Sequence, residues 1–193
     1  MEDGLVSPGD GRLLAFEKLD EVNEFYVKGI SFTLNEFLLN DELANQFKNH
    51  ALIILRLSPE DYHRFHFPFE GIPTETTRIN GKYYSVSPIA LARNFGKVFT
   101  ENKREYAIVK TENHGEMLIA PVGATMVGSI IETYQPNTEV QKGQEMGYFA
   151  FGGSTIVLLV DSSKFTIDQD IIENTKNRLE TLVQMGERIA KAL

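Results

Sequence analysis

Four side chains have the types and settings to do covalent chemistry: Asp10, His63, His66 and Ser154. Ser154 follows the pair Gly152-Gly153 and opens the apolar, β-branched run "STIVLLV". One reading is a hydroxyl after a tight turn at the mouth of a strand. The other starts from the carbonyl beside it, that of Gly153. Two glycines let the backbone take a strained turn that exposes this carbonyl. Asp, His and Ser are the residue types in which a carboxylate orients an imidazole, the imidazole takes a hydroxyl proton, and the oxygen attacks a carbonyl. In this chain the carbonyl attacked would belong to the chain itself.

His63 and His66 flank "RF" in "SPEDYHRFHFPFEG", a segment too rich in aromatic residues to be a simple connector. Their spacing supports three readings. On a helix, i and i+3 share a face and the pair could hold a metal. On a strand, odd spacing sends them to opposite faces and different tasks. They could also simply pack. With no cysteine and no further histidine-rich segment to complete a zinc site, no metal is expected. The other two histidines, His50 and His114, stand alone and read as structural or solvent-exposed. Asp10, in "SPGDG", reads by itself as an Asx turn.

These residues need elements to carry them. "LVSPGDGRLLAF" reads as a turn entering a strand, "EFYVKGISF" (24–32) and "KYYSVS" (82–87) as strands, and "ALIILRL" (51–57) as a buried strand. "TLNEFLLNDELANQF" (33–47) reads as a helix with a Thr33/Glu36 capping box. "PIALARNF" reads as a helical turn and 105–124 as a hairpin. "TMVGSIIETY" and "EVQKGQEMGYFAF" add strands. Ile172, Leu179, Leu182 and Ile189 fall near helical spacing, which predicts a C-terminal amphipathic helix over 168–193. Together these make one α+β domain spanning 1–193, strand-rich, with a sheet or barrel-like core closed by a few helices.

Bulk composition narrows the function. The 193 residues are 42% hydrophobic, enough for one sizeable core. Nineteen Lys and Arg against 27 Asp and Glu give a net charge of −8 without a basic run, so nucleic acid is not an expected partner. No apolar stretch approaches the roughly 18 residues of a membrane span, and "MEDGLVSPGDG" has neither the basic nor the apolar region of a signal peptide.

Five ordered motifs, "SPGDG", "SPEDYHRFHFPFEG", "FTENKR", "VGATMVGSI" and "KGQEMGYFAFGGSTIVLL", run from about residue 7 to about residue 161. In this order they resemble phosphatidylserine decarboxylases. The last 30 or so residues carry none of these motifs. The resemblance implies a proenzyme that cuts itself between Gly153 and Ser154, leaving chains 1–153 and 154–193, and that converts Ser154 into an N-terminal pyruvoyl group. Asp10 and His66 match the positions the family assigns to self-cleavage, and His63 the one it assigns to decarboxylation. Asn102, Arg104 and Gly123 match motif positions that could meet the substrate or shape its pocket; a structural turn is the alternative.

The same resemblance implies a phospholipid substrate, a homodimer, and a peripheral site at the cytoplasmic face of the cell membrane. Family members carry further N-terminal sequence that aids membrane association, whereas this sequence opens at the "SPGDG" motif. Phe65, Phe67 and Phe69 would then be an apolar wedge for the bilayer interface, or else core. Two other functions stay open: decarboxylation of soluble amino acids by the same self-processing site, and a binding protein that keeps Gly153–Ser154 intact.

Overall fold

The computed structural model describes residues 4–26, 31–125, 129–150 and 154–193. Along the chain these form β1 (Gly4–Val6), β2 (Gly11–Phe16), α1 (Leu19–Phe25), α2 (Leu34–Leu38), α3 (Asp41–Phe47), β3 (Ala51–Leu57), β4 (Arg64–His66), β5 (Ile72–Pro73) and β6 (Thr77–Ile79). They continue with α4 (Pro88–Glu101), β7 (Arg104–Lys110), β8 (Glu116–Val122), β9 (Ser129–Glu132), β10 (Glu145–Ala150), β11 (Ser154–Val160), β12 (Phe165–Ile167), α5 (Gln169–Lys176), β13 (Thr181–Val183) and β14 (Arg188–Ala192). The fold is α+β, as the sequence implies.

An eight-stranded antiparallel sheet runs β13-β2-β3-β11-β8-β7-β5, with β6 also paired to β7. It is open at both ends rather than closed into a barrel. Its central strands β3 and β11 are buried along their whole length, and apart from Arg56, Ser154 and Thr155 they are apolar throughout instead of alternating. One face carries Leu14, Phe16, Ile54 and Val157 and lies under α1 to α4 through Val22, Phe37, Phe47 and Phe95. The other carries Leu13, Leu55, Ile156 and Leu158. It packs on α5 and on two three-stranded sheets, β1-β14-β12 and β4-β10-β9.

The elements depart from the sequence expectations in four places. The predicted helix over 168–193 is α5 alone, followed by two strands. Arg178 takes a left-handed backbone (φ 61°) that ends the helix, and Gly186 (φ 82°) turns the chain back. Segments 181–183 and 188–192 then find open partners, β2 for the first and β1 with β12 for the second. The apolar spacing that suggests one helix serves these strands instead: Ile172 and Ile189 are buried, whereas Leu179 and Leu182 are exposed.

The predicted helix 33–47 is broken into α2 and α3. Leu39 is left-handed (φ 49°) and Asn40 caps α3 by accepting from Leu43 N–H. The Thr33 cap on Glu36 N–H is present. The predicted strand 24–32 begins inside α1 and otherwise falls partly on residues outside those described. Residues 82–87 form no strand because a side chain takes the ladder's place: Asn102 accepts from Tyr84 N–H and donates to Tyr84 C=O.

Candidate active site

Ser154 is the first residue of β11, opposite Leu57 of β3. Strand alternation puts its side chain on the face of Ile156 and Leu158, toward the small sheets, and Thr155 on the helix-covered face. Ser154 is fully buried and its Oγ has no hydrogen-bond partner among the described residues. An orphaned buried hydroxyl costs about 1–3 kcal/mol, and Thr155 Oγ1 on the opposite face is likewise buried and unpartnered among the described residues. Gly153, the expected cleavage partner, lies outside the described residues.

The strand that leads toward this point is β10, and it lies directly against the histidine segment. Glu145 pairs with His66, Gly147 with Phe65 and Tyr148 with Arg64, and Phe149 N–H donates to His63 C=O. Gly147 permits this closeness. A Cβ there would lie 2.3 Å from the Ile131 carbonyl oxygen and 2.8 Å from Phe65 Cζ. The register thus ties the histidines to the chain just before the Gly-Gly pair.

The two histidines are set differently, as separate tasks require. His66 is buried, with Nδ1 3.0 Å from the carbonyl oxygen of Gly143 and Nε2 3.3 Å from the hydroxyl of Tyr62. Both ring nitrogens of His63 are buried and neither has a hydrogen-bond partner among the described residues. Among the described residues no group of three or more His, Asp or Glu is arranged to hold a metal.

Asp10 sits in a turn whose backbone touches the histidine strand: His66 N–H donates to Pro8 C=O at 2.8 Å. Its carboxylate points elsewhere. Asp10 Oδ1 accepts from Met185 N–H at 2.7 Å, and no hydrogen bond joins it to His66. The structure therefore brings the Asp10 turn beside His66 but does not show the carboxylate holding the imidazole.

Asn102, Arg104 and Gly123 form a buried clamp. Asn102 donates to the carbonyls of Tyr84 and Gly123, and Gly123 N–H donates to Lys103 C=O. Arg104 donates to the carbonyls of Phe37, Glu36 and Asn102 at 2.6, 2.8 and 2.8 Å. The first two are orphan acceptors at the end of α2, where a cation is favoured. Burial pushes the Arg104 guanidinium down to about 10.

Phe65, Phe67 and Phe69 are core, not a membrane wedge. They are 0%, 0% and 2% exposed and pack on Phe149, Tyr134 and Phe165 respectively. His114 meets Phe69 edge-on and Phe165 at a tilt, and His50 lies on Phe47, where burial lowers its pKa. A cavity of about 440 Å3 lined by Leu14, Tyr26, Leu91 and Glu180 lies on the helix-covered side, and none of the four candidate catalytic residues lines it. Sequence reasoning did not single out Tyr62 or Gly143. Tyr62 lies four residues before His66, and Gly143 shows itself only through its positive φ of 80°.

Ser154 thus begins β11 directly after the Gly152-Gly153 pair, and β10, the strand before that pair, is hydrogen-bonded to the strand that carries His66. The comparisons give the family. A family model described as phosphatidylserine decarboxylase matches residues 1–191. A phosphatidylserine decarboxylase proenzyme of Fusobacterium nucleatum subsp. nucleatum is 52% identical over 187 residues, covering 97% of this chain and 62% of that protein. Proenzymes of the same name from Clostridium botulinum (strain Eklund 17B / Type B) and Clostridium novyi (strain NT) are 52% and 50% identical, covering 97% and 100% of this chain and 63% and 65% of theirs. The chain belongs to the phosphatidylserine decarboxylase family, and it spans less than two thirds of the length of these relatives.

Proposed function

We propose that this chain carries the catalytic machinery of a self-cleaving, pyruvoyl-dependent decarboxylase that converts phosphatidylserine to phosphatidylethanolamine and CO2. The observation that carries the reading is the buried hydroxyl of Ser154, unpartnered among the described residues and directly after Gly152-Gly153, with β10, the strand before that pair, hydrogen-bonded to the His63–His66 segment. A hydroxyl left without a partner in a dry site fits a group that reacts better than one that packs.

In self-cleavage, His66 takes the Ser154 proton and Oγ attacks the Gly153 carbonyl. The peptide C–N bond breaks, the imidazolium returns its proton to the leaving nitrogen, and an ester replaces the amide. Elimination then frees the Gly153 carboxylate and leaves dehydroalanine at 154. Tautomerisation and hydrolysis give pyruvoyl and ammonia. Asp10, beside the His66 backbone, supplies a carboxylate that can turn to the imidazolium as charge develops.

The pyruvoyl group so formed at Ser154 supplies an electron sink for loss of CO2 from an amine-bearing substrate. His63, with two ring nitrogens free of hydrogen-bond partners among the described residues, is the residue to hold a proton for the carbon that loses CO2. We further propose a homodimer that works peripherally at the cytoplasmic face of the cell membrane. No helix among the described residues is long and apolar enough to cross a bilayer.

The test is an intact-mass spectrum under denaturing conditions for the wild-type chain and Ser154→Ala, followed by CO2 release from phosphatidylserine vesicles and from free amino acids. Fragments 1–153 and pyruvoyl-capped 154–193, absent in the variant, are expected, with CO2 from the vesicles. A single uncut chain after prolonged incubation would overturn self-processing. CO2 from the amino acids alone would move the substrate to a soluble amine.

A further inference from the structure

We propose that Tyr62, together with the Gly143 carbonyl, is the positioning device that sets the tautomer and seat of His66. This inference rests on His66 being the base of self-cleavage, as read above.

The argument begins with what a carbonyl can do. Gly143 C=O accepts and cannot donate, so the ring nitrogen 3.0 Å from it, Nδ1, carries the proton. That leaves Nε2 as the basic nitrogen of the neutral ring. The hydroxyl of Tyr62 lies 3.3 Å from Nε2 and is the donor to it. The two rings are nearly parallel, 19° apart with centroids at 5.9 Å, so the phenol also limits the tilt of the imidazole. His66 is thereby held at both nitrogens by groups other than a carboxylate.

The acceptor is itself fixed. Gly143 N–H donates to Phe67 C=O at 2.8 Å, and Phe67 N–H donates to Gln144 C=O at 2.9 Å. These bonds lock the Lys142–Gln144 turn to the residue after His66. Gly143 takes φ 80°, a backbone that L side chains rarely adopt, and this aims its carbonyl at the ring.

A tyrosine suits the second position because its hydroxyl works in both directions. In the resting site it donates to Nε2, and it turns aside when that nitrogen's single lone pair takes the Ser154 proton. Once Nε2 has taken the Ser154 proton, both ring nitrogens are donors, and the phenolic oxygen can turn to accept from Nε2–H. Nδ1–H continues to donate to Gly143 C=O. No proton leaves the pair, and His66 keeps the one it must return to the leaving nitrogen. Phenylalanine keeps the ring but can do neither. Tyr62 is 41% exposed, so its replacement leaves little buried surface unfilled.

The experiment uses 15N-histidine-labelled protein carrying Ser154→Ala, which stays uncut, and reads the His66 tautomer from its ring-nitrogen shifts at a pH where the ring is neutral. The Nδ1–H tautomer is expected. Adding Tyr62→Phe should raise the Nε2–H population, whereas adding Asp10→Asn should leave the ratio unchanged. In an otherwise wild-type chain, Tyr62→Phe should slow the appearance of the 154–193 fragment about 5- to 10-fold, the loss of one hydrogen bond's worth of positioning, without lowering the thermal midpoint.

An Nε2–H tautomer in the Ser154→Ala chain overturns the proposal without any change at Tyr62. So does a ratio that follows Asp10→Asn but not Tyr62→Phe, or cleavage at the wild-type rate in Tyr62→Phe. If the wild-type chain never cuts itself, the functional reading fails, while the tautomer measurement still judges the positioning claim.

Discussion

Arg104 Nε lies 2.6 Å from the carbonyl oxygen of Phe37, and the whole guanidinium is buried with no carboxylate paired to it among the described residues. The sequence left open whether this arginine meets a substrate phosphate or holds a turn. Its donors instead join the start of β7 to the last carbonyls of α2, so its effect should appear in stability. Arg104→Met in the uncut Ser154→Ala background would strand three acceptors, two of them buried. The unfolding free energy should fall by about 3 kcal/mol, since hydrogen bonds to charged groups are worth about 1.5–3 kcal/mol each and do not add. Denaturant titration checks this. An unchanged midpoint, together with a raised KM for vesicles when Arg104→Met is made in the self-cleaving chain, would return Arg104 to the substrate.

Glu105 and Glu132 connect β7 of the large sheet to β9 of the small sheet that contains the histidine strand. Burial, then the neighbouring Glu132, pushes the Glu105 carboxyl up to about 7, with Arg78 and Lys103 opposing. Arg78 lies 3.6 Å from Glu105 and 3.9 Å from Glu132, and Tyr134 is the other titrating neighbour. The folded chain therefore holds a proton that the unfolded chain releases near the ordinary carboxylate value. Stability is full below that value and declines as pH rises toward about 7, because the folded state binds more protons in this window. Glu105→Gln should flatten the decline, leaving the uncut chain more stable than its parent at pH above 7. Thermal midpoints across the window decide; parallel curves for the two proteins would remove Glu105 as the cause.

The fold was legible where local pattern and burial agree. β3 and β11 are long apolar runs interrupted only by Arg56 and by Ser154-Thr155, and both strands form where the sequence puts them. Of the motif residues, Ser154 lies at the start of β11 and His66 on β4, which pairs with β10. The sequence misled where long-range partners outvote local period. Leu179 and Leu182 continue a helical spacing, yet a left-handed Arg178 and the open edge of β2 turn that stretch into strand. The roles around His66 were hidden for a related reason. A backbone carbonyl such as Gly143's leaves no residue type to read, and Tyr62 looks like any aromatic in an aromatic-rich segment.

Gly147 gives the sharpest test of how β10 couples packing to chemistry. A methyl group there would meet the Ile131 carbonyl and the Phe65 ring at once, one on each neighbouring strand. Neither can yield without separating β10 from β9 or from β4, and β4 carries His66. Gly147→Ala should cost about 1–3 kcal/mol, the usual penalty of overpacking, and should also slow release of the 154–193 fragment because the histidine strand shifts relative to Ser154. Gly143→Ala is the control of opposite kind. Nothing lies within 4 Å of its added Cβ, but its φ of 80° resists a side chain, so the stability loss should be smaller, about 1 kcal/mol. Paired unfolding and fragment-release measurements on both variants separate the two effects. A Gly147→Ala chain that keeps its stability and cuts at the wild-type rate would show that β10 does not set the histidine strand against Ser154.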